Sequence, residues 1–231
     1  MSQPFTLYRS DSLGRASNCI YPHAVEVTDS ASLAAAVSFD YVAVEYKNGY
    51  RNNANFIKTN CLMLDCDNDH SEDPAAWITP QVLADSLLDV AFAVHYSRSN
   101  GKVKNGKAAR PKFHVFFPIP EQTDPAAYSD MKKRLQAEFP FFDSNALDAA
   151  RFFFGTSNPE VEFFDGCLTP TSPPARSTGP QGRPWAVTLW CSRCAGVSGS
   201  VIWTAPNTAS CSAAVSTTLL RWTMCSSGTK S

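Results

Sequence analysis

The sequence predicts an α+β domain, with a mostly antiparallel sheet and helices packed on one face, followed by a tail of different character. Short runs of β-branched and aromatic residues recur through the first 165 residues, and two stretches between them show helical spacing of apolar side chains. From about residue 167 onward neither period is sustained, and Asp, Glu and His are absent. We therefore expect a folded domain over residues 1–166 and an irregular or disordered tail over residues 167–231.

The first predicted elements are two strands joined by a polar stretch. They are "YVAVEY" at 41–46 and "CLMLDCD" at 61–67, and the Gly and Asn residues between them suit a turn. A helix follows in "TPQVLADSLLDV", where Thr79 is expected as the N-cap and Pro80 as the first helical residue. A strand that ends in acidic residues thus leads into a helix.

Two further strands are predicted in "AFAVHYS" at 91–97 and "KFHVFFPI" at 112–119. Because side chains alternate along a strand, the second of these places His114 on the face opposite Phe113 and Val115. A histidine between aromatic residues is most simply structural. Beside a cationic loop, its imidazole could instead bind phosphate oxygens.

The last part of the domain is predicted as a helix followed by short strands. The helix covers 124–139, with Asp124 as N-cap and Pro125 at its start. The short strand-like runs are "FFD", "ARFFFG" and "VEFFDG", at 141–143, 150–155 and 161–166.

Three aspartates at alternating positions, Asp65, Asp67 and Asp69, give the strongest functional signal. Residues two apart on a strand point the same way, so these carboxylates come close together and repel each other. A bound divalent cation is the usual compensation, and a set of oxygen ligands favours Mg²⁺ or Mn²⁺. The alternative is an ordinary polar strand end without a metal.

A basic segment separates the third and fourth predicted strands, in a domain that holds 15 basic and 21 acidic residues. The segment contains six cations and no acid, namely Arg98, Lys102, Lys104, Lys107, Arg110 and Lys112. It is either a solvated loop or a binding site for a triphosphate or a nucleic-acid backbone. A P-loop is excluded, because Ala108 stands where the magnesium-binding hydroxyl belongs and a strand follows.

The tail contains five of the eight cysteines and four of the five tryptophans. It is either a low-complexity appendage or a stretch that is out of frame or truncated, and we favour the second interpretation. Cys191 and Cys194 could begin a zinc site, but no second such pair follows. Cys61 and Cys66 are expected to be small core residues and not disulfide partners.

No segment has the apolar length of a signal peptide core or of a membrane span. We therefore expect a soluble cytoplasmic protein that has no membrane partner.

Taken in order, three motifs resemble the catalytic domain of archaeo-eukaryotic primases, in particular the primase-polymerase domains of phage and plasmid replication proteins. The motifs are the acid-x-acid strand end "LMLDCDND", the strand histidine of "RPKFHVFFP", and the later acid of "FFDSNALDAARFFFG". The resemblance covers roughly residues 35–165. It implies an RRM-like sheet joined to a second α/β unit.

The resemblance also implies roles for individual residues. Asp65 and Asp67 would bind Mg²⁺ or Mn²⁺, Asp143 would complete the metal site with Asp148 as the alternative, and His114 would contact nucleotide phosphates. The six cations of the basic segment, together with Arg151 and its guanidinium fork, would bind nucleotide or DNA. Lys112 departs from the family, which often has a small residue two positions before the histidine.

The function implied is that of a DNA primase or polymerase, which makes a short RNA or DNA primer on single-stranded DNA from nucleoside triphosphates. A replicative helicase on a separate or missing segment is a further expected partner. Two alternatives stay open. One is a non-catalytic nucleic-acid-binding replication accessory or an inactive remnant, and the other is a metal-dependent nuclease or another nucleotidyltransferase that uses the same acids.

Overall fold

The computed structural model describes residues 3–87, 89–103 and 106–166, together with the backbone of two short strands further along. Lys104, Cys194 and the rest of the predicted tail lie outside the described residues. The boundary at residue 166 stays a prediction. Within the described part of the chain, no helix is both long enough and apolar enough to cross a membrane.

The described elements are three helices and ten strands. The helices are α1 (Ser30–Val37), α2 (Pro80–Ser86) and α3 (Pro125–Glu138). The first five strands are β1 (Phe5–Arg9), β2 (His23–Val27), β3 (Tyr41–Val42), β4 (Glu45–Tyr46) and β5 (Phe56–Cys66). The others are β6 (Phe92–Tyr96), β7 (Phe113–Gln122), β8 (Val161–Phe164), β9 (Leu168–Pro170) and β10 (Leu189–Cys191).

The strands form one central sheet and two smaller ones, and every pairing is antiparallel. The central sheet has the order β4-β5-β7-β6-β8, and a three-stranded sheet has the order β2-β1-β3. Strands β9 and β10 pair with each other. The prediction of an α+β domain with mostly antiparallel sheets is confirmed.

Side chains alternate along the strands of the central sheet and pack into two separate hydrophobic cores, one on each face of the sheet. On one face, Leu64 and Val115 belong to a cluster with Leu83 of α2 and Leu135 of α3. Burying each such side chain contributes about 1.5–3 kcal/mol. This face carries the two helices that the sequence predicts.

The other face of the central sheet is also covered. Met63 and Phe116 pack there with Phe5 of β1 and Leu33 of α1, so the three-stranded sheet and α1 close this side. The expectation that helices lie on one face was therefore incomplete. The elements α1, β1 and β2, which cover this second face, lie in the first 40 residues, outside the predicted elements.

Both predicted helix starts are confirmed. The Thr79 side chain accepts a hydrogen bond from the backbone N–H of Val82, and the Asp124 side chain accepts one from Ala126. In each helix a proline occupies the first turn, where its missing N–H costs nothing.

Several strand boundaries differ from the prediction. The run at 41–46 is divided into β3 and β4, which belong to different sheets, and β5 begins at Phe56, inside the stretch expected to be a turn. The runs at 141–143 and 150–155 form no strand, apart from an isolated bridge between Phe153 and Tyr41. Phe141, Phe142 and Phe152 pack with the core that contains Leu64, whereas Phe153 belongs to the core that contains Met63.

Candidate active site

Three carboxylates meet at the end of β5. Asp65 lies within this strand, Asp67 directly follows it, and Asp143 follows α3. One oxygen from each carboxylate lies within 4.8 Å of the others. The backbone N–H of Asp143 donates to the carbonyl oxygen of Asp65 at 2.8 Å, which holds the two chain segments together.

Asp65 is the buried member of this acidic cluster. Its Oδ1 has no hydrogen-bond partner among the described residues. Burial raises the pKa of Asp65 well above its ordinary value, and the charges of Asp67 and Asp143 raise it further. Because a buried carboxylate without a partner is costly, the cluster fits a divalent cation, which would satisfy the orphaned oxygen with hard ligands.

The other two candidate acids lie outside the cluster. Asp69 forms ion pairs with Lys107 at 2.9 Å and with Lys112 at 3.5 Å. The backbone carbonyl of Asp148 accepts a hydrogen bond from Lys132 Nζ at 3.1 Å, and its carboxylate is not part of the cluster. The geometry thus favours Asp143 over Asp148 as the third ligand.

His114 lies beside the acidic cluster, on the face that its alternation predicts. It is paired with Asp65 across β7 and β5, and its Nε2 lies 3.9 Å from Asp65 Oδ1, too far for a hydrogen bond. Its Nδ1 lies 2.6 Å from the Tyr41 hydroxyl. Burial lowers the pKa of His114 well below its ordinary value, so the imidazole is neutral.

A second histidine extends this row across the sheet. His95 of β6 pairs with His114, its Nδ1 lies 2.9 Å from the Tyr41 hydroxyl, and its Nε2 lies 3.0 Å from Thr156 Oγ1. Burial lowers the pKa of His95 to about 3. Sequence reasoning missed both His95 and Tyr41. The available signal was the similar strand setting of the two histidines, in "FAVHY" and "KFHVFF".

Three of the five described cations of the basic segment contact the acidic loop that follows β5, residues 67–72. Lys107 contacts Asp69, and Lys112 Nζ lies 3.2 Å from Asp67. Arg110 was predicted to bind phosphate, but its side chain is fully buried and donates to Glu72 at 2.7 Å and to the Asn68 carbonyl at 2.9 Å. We therefore correct its role to a structural one, because its donors are used inside the protein.

Arg98 and Lys102 line a cavity of about 520 Å³ beside Thr156. The Arg98 guanidinium lies 3.8 Å from the ring centroid of Phe154, and Lys102 Nζ donates to the Arg98 carbonyl at 2.9 Å. One acid, Glu160, also lines this cavity. Of the described cations of the basic segment, three thus contact the acidic loop and two line this cavity.

Arg151, in the loop after α3, is a second predicted cation whose charge acts on the acidic cluster, besides Lys112. Its charge partly offsets the raised pKa of Asp65, and it adds to the lowering of the pKa of His114 that burial causes. Its Nε is buried without a hydrogen-bond partner among the described residues. A guanidinium in this position can donate to an anion that enters the site.

No protein-family model matches the chain, and no curated protein sequence matches it. One solved structure is similar, the AEP domain of the cyanophage S-2L primase-polymerase, at 20% identity and a TM-score of 0.38. The similarity covers 70% of this chain and 81% of that chain.

Proposed function

We propose that this domain is a nucleotidyltransferase of the primase-polymerase type, which makes a short RNA or DNA primer on a single-stranded DNA template. One observation carries the proposal: Asp65, Asp67 and Asp143 bring their carboxylates together, and neutral His114 lies in the same row of the sheet. Such a site combines oxygen ligands for a metal with a neighbouring side chain that can bind a phosphate oxygen.

The three acids would hold Mg²⁺ or Mn²⁺. When bound, such ions lower the pKa of an attacking hydroxyl and stabilise the charge of a leaving pyrophosphate. Because metal ligands must be deprotonated, Asp65 loses its proton when it takes up this role. Its burial makes the metal-free carboxylate unfavourable, and a bound cation would compensate this charge.

The neighbouring side chains would bind the nucleotide. His114 would contact a phosphate oxygen, and Arg151 would neutralise negative charge close to the acids. Lys112 keeps its ammonium beside Asp67, at the border of the same site. We assign Arg98 and Lys102, in their cavity beyond Thr156, to the outer phosphates or to the DNA backbone.

The test is primer synthesis by the full chain on unprimed single-stranded DNA, with Mg²⁺ or Mn²⁺ and all eight labelled nucleotides. We expect a labelled product that is lost when Asp65→Asn and Asp67→Asn are combined. Asp85→Asn is the matched control, because it neutralises an exposed aspartate on α2 that contacts Gln81. Product made by the double variant would overturn the proposal.

The same experiment separates the alternatives. Metal-dependent shortening of the template without any product would indicate a nuclease that uses the same acids. Binding of the template with neither reaction, by a chain that unfolds cooperatively on heating, would indicate a replication accessory or an inactive remnant.

A further inference from the structure

We propose that a hydrogen-bonded relay of three side chains holds His114 as the tautomer that carries its proton on Nε2. The relay consists of Tyr41, His95 and Thr156, and its members are positioning residues. Their effect is that His114 presents a hydrogen-bond donor, and not a lone pair, to the space beside the acidic cluster. The inference rests on the proposed function, since it specifies how His114 would meet a substrate phosphate.

The hydroxyl of Tyr41 is the centre of the relay. It lies 2.6 Å from Nδ1 of His114 and 2.9 Å from Nδ1 of His95. A hydroxyl has a single proton, so it donates to one imidazole and accepts from the other. In a neutral imidazole one nitrogen is a donor and the other an acceptor, so the tautomers of the two histidines are coupled. Two directions of the relay are possible.

The two distances favour one direction. The donor–acceptor distance of an N–H···O hydrogen bond lies between about 2.7 and 3.2 Å, most often at about 2.9–3.0 Å, so a contact below this range is better explained by a hydroxyl donor. The 2.6 Å contact fits donation by the Tyr41 hydroxyl to His114, and the 2.9 Å contact fits donation by His95 to Tyr41. The proton of His114 is then on Nε2.

The surroundings of the two histidines agree with this direction. Nε2 of His114 lies 3.9 Å from Asp65 Oδ1, a buried acceptor that has no hydrogen-bond partner among the described residues. An N–H facing this oxygen is attracted to it, whereas a lone pair would be repelled, both for the ionised carboxylate and for a carboxyl that carries its proton on Oδ2. At the other end, His95 Nε2 becomes an acceptor, and the Thr156 hydroxyl at 3.0 Å can donate to it.

The tautomer decides which ligand His114 can bind. A neutral imidazole binds a metal ion through an unprotonated nitrogen, so His114 with its proton on Nε2 cannot join the three acids as a metal ligand. The same N–H is a donor suited to a phosphate oxygen. The relay therefore keeps metal binding and phosphate binding on different side chains of one row.

The direct test is a long-range ¹H–¹⁵N correlation spectrum of the full, metal-free chain labelled at its four histidines. His114→Gln and His95→Asn variants assign the two buried rings. We expect His114 to be protonated at Nε2 and His95 at Nδ1. A His114 ring that is protonated at Nδ1, at both nitrogens, or as an even mixture would overturn the inference.

Variants of the relay provide a functional readout. Tyr41→Phe removes the hydroxyl that donates to His114, and we expect mixed tautomers of His114. We also expect the nucleotide KM to rise about tenfold with little change in kcat, which is the size of effect typical when a metal-binding histidine loses the hydrogen-bond partner that orients it. His95→Asn keeps an amide donor near the position of Nδ1 and should stay close to wild type, whereas His95→Leu should resemble Tyr41→Phe. Equal KM values for all three variants would contradict the relay.

Tyr46→Phe is the matched control, because it also removes the hydroxyl of a buried tyrosine. The Tyr46 hydroxyl donates to the Ala149 carbonyl at 3.0 Å and makes no contact with His114. The spectrum needs no activity, so the two proposals can fail separately. Primer synthesis by a chain whose His114 carries its proton on Nδ1 would overturn the relay alone. An inactive chain with the Nε2 proton would overturn the proposed function alone. Should Tyr41→Phe not fold, the wild-type spectrum still decides.

Discussion

Asp65 and His114 face each other across neighbouring strands of the central sheet, with Oδ1 and Nε2 3.9 Å apart. Both side chains are buried, and burial shifts both pKa values toward the neutral form. In the metal-free protein the pair is therefore not a salt bridge. An acid that must lose its proton to bind a cation lies beside an imidazole that stays neutral, which suits a site for a metal and a phosphate together.

The first prediction concerns the third ligand. We expect Asp143→Asn to weaken Mn²⁺ binding at least about tenfold, because it removes one of three charged oxygen donors. Asp148→Asn is the matched control and should leave the affinity unchanged, since its carboxylate lies outside the cluster. Calorimetric titration with Mn²⁺ measures both affinities. The reverse ranking would make Asp148 the ligand.

The second prediction concerns pH. The folded-state pKa of Asp65 is raised, so the metal-free native chain binds a proton that the unfolded chain releases at lower pH. Stability is therefore full below the ordinary Asp pKa and falls as the pH rises through the raised pKa. Asp65→Asn removes this dependence, and we expect it to stabilise the metal-free chain at neutral pH by about 1–2 kcal/mol.

Urea unfolding in EDTA over a series of pH values measures this effect, with Asp85→Asn as the exposed control. A variant that gains stability while it loses primer synthesis would mark Asp65 as a residue kept for function. Equal slopes of unfolding free energy against pH in wild type and Asp65→Asn would contradict the assigned shift.

The sequence predicted those features that depend only on residues close together in the chain. The caps at Thr79 and Asp124 follow from a side chain reaching two or three residues ahead. The proximity of Asp65 and Asp67 follows in the same way from the spacing of residues along a strand. These features need no knowledge of how the strands pair.

Features that depend on pairing could not be predicted from one sequence. The row from Asp65 through His114 to His95 requires the registers of three strands. Tyr41 reaches this row from β3, which belongs to the three-stranded sheet and pairs with β1. Likewise, the sequence shows that Arg110 is charged, but it does not show that the acidic loop closes around it.

The third prediction compares a buried cation of the basic segment, Arg110, with one that lines the cavity, Lys102. Arg110→Ala should destabilise the protein by about 3 kcal/mol, because it leaves Glu72 and buried backbone carbonyls without their donor. Lys102→Ala should leave the unfolding free energy nearly unchanged and raise the nucleotide KM or weaken DNA binding. Denaturant unfolding and steady-state kinetics distinguish the two effects. A stable Arg110→Ala variant with a raised KM would restore Arg110 to the binding surface.

The fourth prediction tests how the relay is held in place. A Cβ added to Gly155 would collide with the backbone carbonyl oxygens of Phe39 and Val37. The backbone N–H of Gly155 also donates to the Asp40 side chain at 3.2 Å. Gly155→Ala must therefore move the backbone next to Thr156, at a cost of about 1–3 kcal/mol. We expect a lower thermal midpoint and weakened donation from Thr156 to His95, visible in the histidine spectrum.

Ser157→Ala is the control for this fourth change, because it alters the cavity lining on the other side of Thr156 without adding an atom near the backbone. It should change neither the thermal midpoint nor the His95 signals by more than a small amount. If Gly155→Ala lowered the midpoint and left both histidine rings unchanged, the relay would be held by Tyr41 alone. Thr156 would then lose its place among the positioning residues.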